Sequence, residues 1–304
     1  MFKLSYGWAI ILMVFAISFA GCDDDDDTVT PPGTITEIAS DDDRFTILTA
    51  ALVRTGLDVT LNAAGTFTVF APTDAAFTAS GIDLTALSDA DLTNVLLYHV
   101  LGGVVTAADL GEGDNFANTL GAFGPNGSSL SVLVNKTGSA VTVNGDATVV
   151  VADITAANGV IHAIDQVLSP QTIVDFATKT GALSSLAGAL TTANLVGALS
   201  AAGPFTVFAP NNIAFADAAS VIATLTPEQV ATVLTYHVVG NANVRSDAIP
   251  ATATTLAMQD LTFTGEGNAT IVTASGQEVP IALADIQGTN GVVHVIGTVL
   301  VPTL

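Results

Sequence analysis

The sequence predicts an α+β fold in two tandem domains, which follow a signal peptide and an acidic linker. Two observations lead to this prediction. The segment FTVFAPTDAAF at residues 67–77 recurs as FTVFAPNNIAF at residues 205–215, 138 positions later. In each copy, segments with apolar residues at helical spacing precede segments in which β-branched and polar residues alternate. A helical half therefore comes before a strand-rich half.

Two further pairs of segments keep the order of the repeat. Tyr-His-Val at residues 98–100 recurs at residues 236–238, and Asn-Gly-Val-Ile-His at residues 158–162 recurs as Asn-Gly-Val-Val-His at residues 290–294. Units of this size can each form a hydrophobic core of their own. We therefore predict a first domain over residues 34–169 and a second over residues 170–304.

The first repeated block predicts a strand followed by a helix. The FTVFA run is typical of a short β-strand, and Pro72 or Pro210 ends it because proline cannot donate to a central ladder. Thr73 or Asn211 can then accept a hydrogen bond from the first turn of a helix.

The helix that precedes each Tyr-His pair has the clearest local signals. In the second copy, residues 226–229 (Thr-Pro-Glu-Gln) predict an N-cap, a proline at the first helical position and a capping box, and Ser88 takes the cap position in the first copy. Each Asn-Gly pair is typical of a hairpin turn that leads into a β-branched strand. Further helices are predicted at 45–61 and 183–199, further strands at 139–151 and 261–272, and the strands after the turns at 160–168 and 292–301.

The first 21 residues are predicted to be a lipoprotein signal peptide. Lys3 supplies a basic start, and residues 4–20 are apolar and uncharged. Residues 18–22 (Ser-Phe-Ala-Gly-Cys) resemble a bacterial lipobox, which implies that Cys22 carries the lipid. The alternative is a transmembrane anchor with an incidental cysteine, for which the apolar stretch is short. Cys22 is the only cysteine of the chain.

Residues 22–33 are predicted to be a disordered tether. Asp23 to Asp27 form a run of five aspartates, and threonine, proline and glycine follow them. One interpretation is a solvated spacer, and a sharper one is an export signal that places a lipoprotein on the outer face of the outer membrane. We therefore predict a secreted lipoprotein of the cell envelope, at the outer membrane and on display at the cell surface.

The charge balance limits the partners that this protein can bind. The chain has 6 lysines and arginines against 28 aspartates and glutamates. Such an acidic surface repels nucleic acid phosphates and anionic lipid headgroups. We therefore expect no nucleic acid partner, and contact with the membrane only through the lipid on Cys22.

The three repeated blocks resemble the fasciclin-like (FAS1) domain. The FTVFAP segments look like the first motif of that family, the NGVIHAIDQVL and NGVVHVIGTVL segments look like the second, and the Tyr-His pairs lie between them. The resemblance implies a helical layer packed on a β-sandwich or wedge, and non-catalytic adhesion to surface proteins, extracellular matrix or polysaccharide. In animal members the Tyr-His region is tied to integrin recognition, so the resemblance marks Tyr98, His99, Tyr236 and His237 as candidate recognition residues.

The four histidines leave alternatives open. His99 and His237 continue an apolar helical stripe, and His162 and His294 lie in β-branched strands, which favours buried imidazoles held by hydrogen bonds. The other interpretations are a metal site and a surface hydrolase with a histidine-containing site. Because neither a Gly-x-Ser-x-Gly elbow nor a phosphate-binding loop occurs, we predict no enzyme and no cofactor. Because the histidines have neither a cysteine partner nor a clustered His-x-x-x-His spacing, we also predict no metal. A purely structural envelope or matrix protein is the remaining hypothesis.

Overall fold

The computed structural model describes residues 32–63, 65–265 and 270–304. The predicted signal peptide, Cys22 and the five aspartates of the tether lie outside these residues. Among the helices that the structure covers, none combines the length and the apolar character that a membrane span requires.

The first copy of the repeat contains five helices and seven strands within the described residues. The helices are α1 (Ile35–Asp41), α2 (Thr46–Thr55), α3 (Leu57–Asn62), α4 (Asp74–Ser80) and α5 (Asp89–Tyr98), and the strands are β1 (Phe67–Pro72), β2 (Val100–Gly102), β3 (Gly113–Asn118), β4 (Ser131–Thr137), β5 (Ala140–Val143), β6 (Ala147–Ala156) and β7 (Gly159–Ile164).

The second copy repeats this order over its described residues. Its helices are α6 (Ile173–Lys179), α7 (Ser184–Thr192), α8 (Val196–Leu199), α9 (Asn212–Ile222) and α10 (Pro227–Tyr236), and its strands are β8 (Phe205–Pro210), β9 (Val238–Gly240), β10 (Thr252–Thr254), β11 (Asp260–Thr264), β12 (Thr270–Val272), β13 (Glu278–Gly288) and β14 (Gly291–Ile296).

Each copy folds into one seven-stranded sheet that nearly closes on itself. The strand order is β2-β1-β7-β6-β5-β4-β3 in the first copy, and it is matched by β9-β8-β14-β13-β12-β11-β10 in the second. The pairs β1–β7 and β8–β14 are parallel, whereas the other neighbouring strands run antiparallel. A bridge between Leu101 and Thr119, or Val239 and Thr255, links the two edges of the sheet. The predicted α+β fold is confirmed, and its β part is a single curled sheet in each domain.

Two apolar cores lie on opposite sides of β1. Successive side chains of a strand point to opposite faces. Val69 and Ala71 therefore pack against the helices, in a cluster with Phe45 of the helical layer. Phe70 points into the curled sheet and joins a second cluster with Tyr98. The repeated FTVFA segment thus serves the helical layer and the interior of the barrel at once.

The predicted helix caps are present in the structure. Thr226 and Gln229 form a reciprocal capping box at the start of α10, and Pro227 is the first residue of that helix. The Ser88 side chain caps α5 by accepting from the Asp91 amide. Thr73 caps α4 in the same way, through the Ala76 amide.

The two domains pack against each other through an apolar contact. Leu133 on β4 is 1% exposed because it lies in the cluster formed by the helical layer of the second domain. Phe116 on β3 packs edge-on against Phe176 of α6, with ring centroids 5.9 Å apart. The backbone amide of Gln287 also donates to the Ser131 hydroxyl at 2.9 Å. The Lys179 ammonium forms an ion pair with the Asp146 carboxylate.

The matching surface of the second domain is polar. In the register of the strands, Thr252 and Thr262 take the positions that Phe116 and Leu133 take in the first domain, and both threonines are exposed. The contact between domains is therefore directional. The barrel of the first domain docks on the helices of the second, and exposed threonines take the two matching positions on the second barrel.

We predict that Leu133→Asp destabilises the two-domain fragment by about 3 kcal/mol, because it buries an unpaired carboxylate and removes an apolar contact. Scanning calorimetry should show a lower melting temperature and a splitting of the unfolding transition. Thr262→Asp is the matched control at the exposed position, where a shift within about 0.5 kcal/mol is expected. Equal effects of the two changes would contradict the directional interface.

Candidate functional site

Tyr98 ends helix α5 and lies inside the barrel of the first domain. Its side chain has no exposed surface. The hydroxyl donates to the Ser131 carbonyl at 3.0 Å and accepts from Asn144 Nδ2 at 3.0 Å. Burial raises the pKa of Tyr98 above its ordinary value because the phenolate would lose its hydration. The Tyr98 hydroxyl therefore fixes the end of the helix to β4.

His99 caps the same helix, and both of its ring nitrogens bond to the backbone. Nδ1 lies 2.7 Å from the Val95 carbonyl and Nε2 accepts from the Leu168 amide at 2.8 Å. Because a carbonyl can only accept, the proton is on Nδ1 and the ring is neutral. Burial lowers the pKa of His99 to about 4. The histidine joins the helix end to the segment that leaves the sheet after β7.

The second domain repeats this arrangement. The Tyr236 hydroxyl donates to the Asp260 carbonyl at 3.2 Å and accepts from the Ala274 amide at 3.1 Å. His237 Nδ1 lies 2.7 Å from the Val233 carbonyl, and its Nε2 accepts from the Leu300 amide at 2.8 Å. Burial lowers the pKa of His237 to about 4 and raises that of Tyr236.

The four candidate recognition residues are therefore inside the fold. Tyr98, His99, Tyr236 and His237 are each at most 2% exposed. A partner could contact their side chains only if helix α5 or α10 separated from the sheet of its domain. Their proposed role in recognition stays a prediction, and the structure gives each of them a role in packing and hydrogen bonding.

The second histidine of each domain is also fixed by the backbone. His162 on β7 accepts from the Asp153 amide through Nδ1 at 3.2 Å, and its Nε2 lies 2.9 Å from the Val105 carbonyl. His294 makes the same two contacts, with the Asp285 amide at 3.3 Å and the Val244 carbonyl at 2.8 Å. Burial lowers the pKa of His294.

The aspartates beside these histidines are site residues that the sequence reasoning missed. Asp153 and Asp285 have φ values of 58° and 64°, at irregularities where β6 and β13 shift register. Their carboxylates accept from loop amides, Asp153 from Ala107 at 2.9 Å and Asp285 from Ser246 at 2.9 Å. A signal was present, because Ala-Asp-Ile at 152–154 recurs at 284–286 with the spacing of the last repeated block.

The asparagine of each Asn-Gly turn does more than form the turn. Asn158 accepts from the Ile35 amide at 2.9 Å and donates to the Leu61 carbonyl, so it ties α1 and α3 to the sheet. Asn290 repeats this with the Ile173 amide at 3.0 Å and the Leu199 carbonyl at 2.8 Å.

The glycine of each turn is required by close packing. A Cβ atom on Gly159 would lie 2.0 Å from the Phe67 carbonyl oxygen, and one on Gly291 would lie 2.2 Å from that of Phe205. A residue with a side chain cannot fit there unless the parallel strand pair separates. The Asn-Gly pair therefore connects the helical layer of each domain to its sheet.

These contacts limit the chemistry that the histidines can perform. A neutral imidazole has one acceptor nitrogen, and a backbone amide occupies it in all four rings. The Asp153 carboxylate lies 3.9 Å from His162 Nδ1, which is too long for a hydrogen bond. Within the described residues, no group of three or more histidine, cysteine and acidic side chains could hold a metal ion. The arrangement fixes the backbone and leaves no ring nitrogen free to take a proton.

The nearly closed sheet, the helical layer and the repeated FTVFAP, Tyr-His and Asn-Gly segments define the class of protein. The family model described as the Fasciclin domain matches residues 43–170 and 181–302, which is well over half of the chain. The chain belongs to the fasciclin domain family, and it contains two tandem copies of the domain.

Three relatives illustrate this similarity. Transforming growth factor-beta-induced protein ig-h3 of Sus scrofa is 38% identical over 149 residues, which are 48% of this chain and 20% of that protein. Protein sll1483 of Synechocystis is 38% identical over 141 residues, 45% of this chain and 76% of its own length. The solved structure of a FAS1 domain pair from the insect cell adhesion molecule Fasciclin I has a TM-score of 0.52 at 18% identity, and the match covers 88% of this chain and 95% of that one. The chain thus spans a fifth of the length of ig-h3, and at 18% identity the likeness to Fasciclin I concerns the fold.

We predict that stability decreases in acid between pH 6.5 and pH 4. The pKa values of His99 and His237 are about 4 in the folded chain, below the ordinary value of 6.5. The unfolded chain therefore binds protons that the folded chain does not. Keeping each histidine neutral therefore contributes to the free energy of unfolding above pH 6.5. This contribution is lost as the pH falls towards 4, and it amounts to about 3 kcal/mol for each histidine.

Urea unfolding at a series of pH values measures this dependence. His99→Gln is the matched variant, because its side chain does not titrate in this range. The His99→Gln variant should take up to one proton fewer on unfolding, so that its free energy of unfolding changes less steeply with pH. The acidic residues of the chain still titrate in both proteins. An unchanged slope would show that His99 is not held neutral.

Proposed function

We propose that this protein is a surface-anchored, non-catalytic adhesion lipoprotein. It attaches the cell to a surface protein, a matrix component or a polysaccharide through its two fasciclin domains. The observation that carries the proposal is the pair of fasciclin domains joined by a buried contact at Leu133 and Phe176. A domain pair of this fold also occurs in the insect cell adhesion molecule Fasciclin I.

The pairing of the two domains favours binding to extended or repetitive ligands. Two weak sites on one chain gain affinity on a polymeric ligand, since the second contact forms at a high effective concentration. A polysaccharide or a protein array provides such a ligand.

The histidines support a non-catalytic role. Every ring nitrogen of His99, His162, His237 and His294 bonds to a backbone group, and three of these rings have lowered pKa values. A general base needs an accessible acceptor nitrogen with a pKa near the working pH. This observation argues against the alternative of a surface hydrolase.

The anchor in this proposal is the lipid on Cys22. The apolar stretch of residues 4–20 ends in small residues and this single cysteine. The acidic residues 23–27 then keep the domains away from an anionic membrane surface through charge repulsion. We further propose that the protein is displayed on the outer face of the outer membrane.

We predict that Cys22→Ala moves the protein from the membrane fraction to the soluble fraction, because the thiol that carries the lipid is lost. Mass spectrometry of the wild-type N-terminal peptide should show acyl chains on Cys22. Proteinase treatment of intact cells should remove the wild-type protein if it is displayed outside. A wild-type protein without acyl chains on Cys22 would contradict lipid anchoring, and protection from proteinase would contradict outer-face display.

We predict that cells producing the wild-type protein attach to immobilised polysaccharide or matrix protein more strongly than cells lacking the gene. The matched control is the Cys22→Ala strain, which makes the same domains without the anchor and should attach like the deletion strain. Equal attachment of all three strains across an array of ligands would contradict adhesion. If deletion instead weakened the envelope without changing attachment, the purely structural hypothesis would be favoured.

A further inference from the structure

The barrel of the first domain contains an apolar cavity that is partly open to solvent. Its volume is about 190 Å³, and its inner wall includes Phe70, Leu101 and Val134. The loop that follows β2, at Leu110, and strand β6, at Val149, also line it. Protein interiors are close-packed, and voids larger than a water molecule are few. An apolar cavity of this size is therefore a feature that needs a physical explanation.

The polar side chains on the cavity wall are already paired. Asn115 donates to the Gly111 carbonyl at 2.8 Å and to the Gly113 carbonyl at 3.0 Å, and its oxygen accepts from the Gly111 amide at 3.2 Å. Both nitrogens of His162 bond to the backbone. These two side chains, among the described residues that line the cavity, therefore offer a ligand no free acceptor nitrogen or unpaired amide. The chemistry of the wall selects an apolar, uncharged occupant.

The second domain has larger side chains at two of the lining positions. The tyrosine hydroxyl donates to the Ser131 carbonyl in the first domain and to the Asp260 carbonyl in the second. Val134 lies three residues after Ser131, and Phe263 lies three residues after Asp260, so the two take the same strand position. The Phe263 ring packs on Phe208 with centroids 5.6 Å apart, within the core of that barrel. Ile281 likewise takes the position of Val149, since each pairs with the last residue of β14 or β7.

The same fold can therefore place an aromatic ring where the first domain has open space. Phe70 is the counterpart of Phe208, and it lines the cavity together with Val134, whose counterpart Phe263 packs on Phe208. The open space is about the volume that one aromatic ring and its contact shell need.

The loop that follows β2 and lines the cavity is fixed by polar contacts at both sides. The Lys136 ammonium donates to the Ala107 carbonyl at 2.8 Å and to the Leu110 carbonyl at 3.1 Å. The Asp153 carboxylate accepts from the Ala107 amide at 2.9 Å. The cavity is thus formed in advance by the fold, so that a ligand would not have to order the loop that lines it.

We propose that the barrel of the first domain is a binding site for a small uncharged apolar molecule, of the size of one aromatic ring or a short branched hydrocarbon. Apolar cavities of about 150 Å³ in protein cores stay dry and bind benzene. This site is separate from the outer surfaces that the adhesion proposal uses, and either proposal can fail without the other.

Titration of the unlipidated Cys22→Ala chain with toluene tests the proposal. We expect saturable binding with one site, measured by calorimetry, and nuclear Overhauser contacts from toluene to the methyl groups of Val134. Val134→Phe copies the residue of the second domain and should weaken toluene binding at least tenfold while raising the melting temperature of the free protein. Benzoate, which carries a charge, should bind at least tenfold more weakly than toluene.

The matched control is Phe263→Val in the second domain, which leaves the first cavity unchanged and should keep the affinity of that site. Val149→Ile is a smaller filling change and should weaken toluene binding to a lesser degree, which keeps the test valid if Val134→Phe misfolds. Absence of saturable toluene binding would overturn the proposal. The proposal would also be overturned if neither Val134→Phe nor Val149→Ile changed the affinity for toluene. Nuclear Overhauser contacts from toluene to residues outside the cavity would overturn it as well.

Discussion

The parallel pairing of β1 with β7, and of β8 with β14, is the contact on which the rest of each domain depends. It brings the FTVFAP segment beside the Asn-Gly-Val-x-His segment, which are far apart along the chain. Gly159 and Gly291 allow the two backbones to approach closely at the start of each pair. With this pair in place, one face of β1 forms the helical core and the other forms the barrel core. Loss of the pairing would remove both cores together.

The histidines of this protein stabilise the backbone at the two places where regular hydrogen bonding is interrupted. His99 and His237 lie at helix ends, where the last carbonyls lack partners within the helix. His162 and His294 lie opposite the irregular turns of β6 and β13, where an aspartate with positive φ leaves an amide outside the ladder. An imidazole suits both places because it combines one donor and one acceptor in a rigid planar ring. Both nitrogens of each ring are therefore occupied by backbone groups.

The two copies share one fold and differ in what surrounds it. Phe116 and Leu133 of the first domain join it to the second, whereas Thr252 and Thr262 leave the second barrel exposed to solvent. Val134 leaves a cavity in the first barrel, and Phe263 packs on Phe208 in the second. The duplication has therefore produced one domain that carries the docking face and a cavity, and another that receives the docking face on its helices.

The sequence by itself determined the repeat, the order of helices and strands, the caps at Ser88 and Thr226, and the α+β class, because these follow from local spacing and from the similarity of two segments of one chain. It also indicated that His99 and His237 are buried, since they continue an apolar stripe. Only the tertiary structure decided that Tyr98 and Tyr236 lie wholly inside the barrel, that Asp153 and Asp285 hold the bulges, and that Leu133 faces the other domain. The periodicity of one segment indicates only which of its residues face the core of their own domain. The burial of residues such as Leu133 depends in addition on which strands pair and on which domain lies beside them.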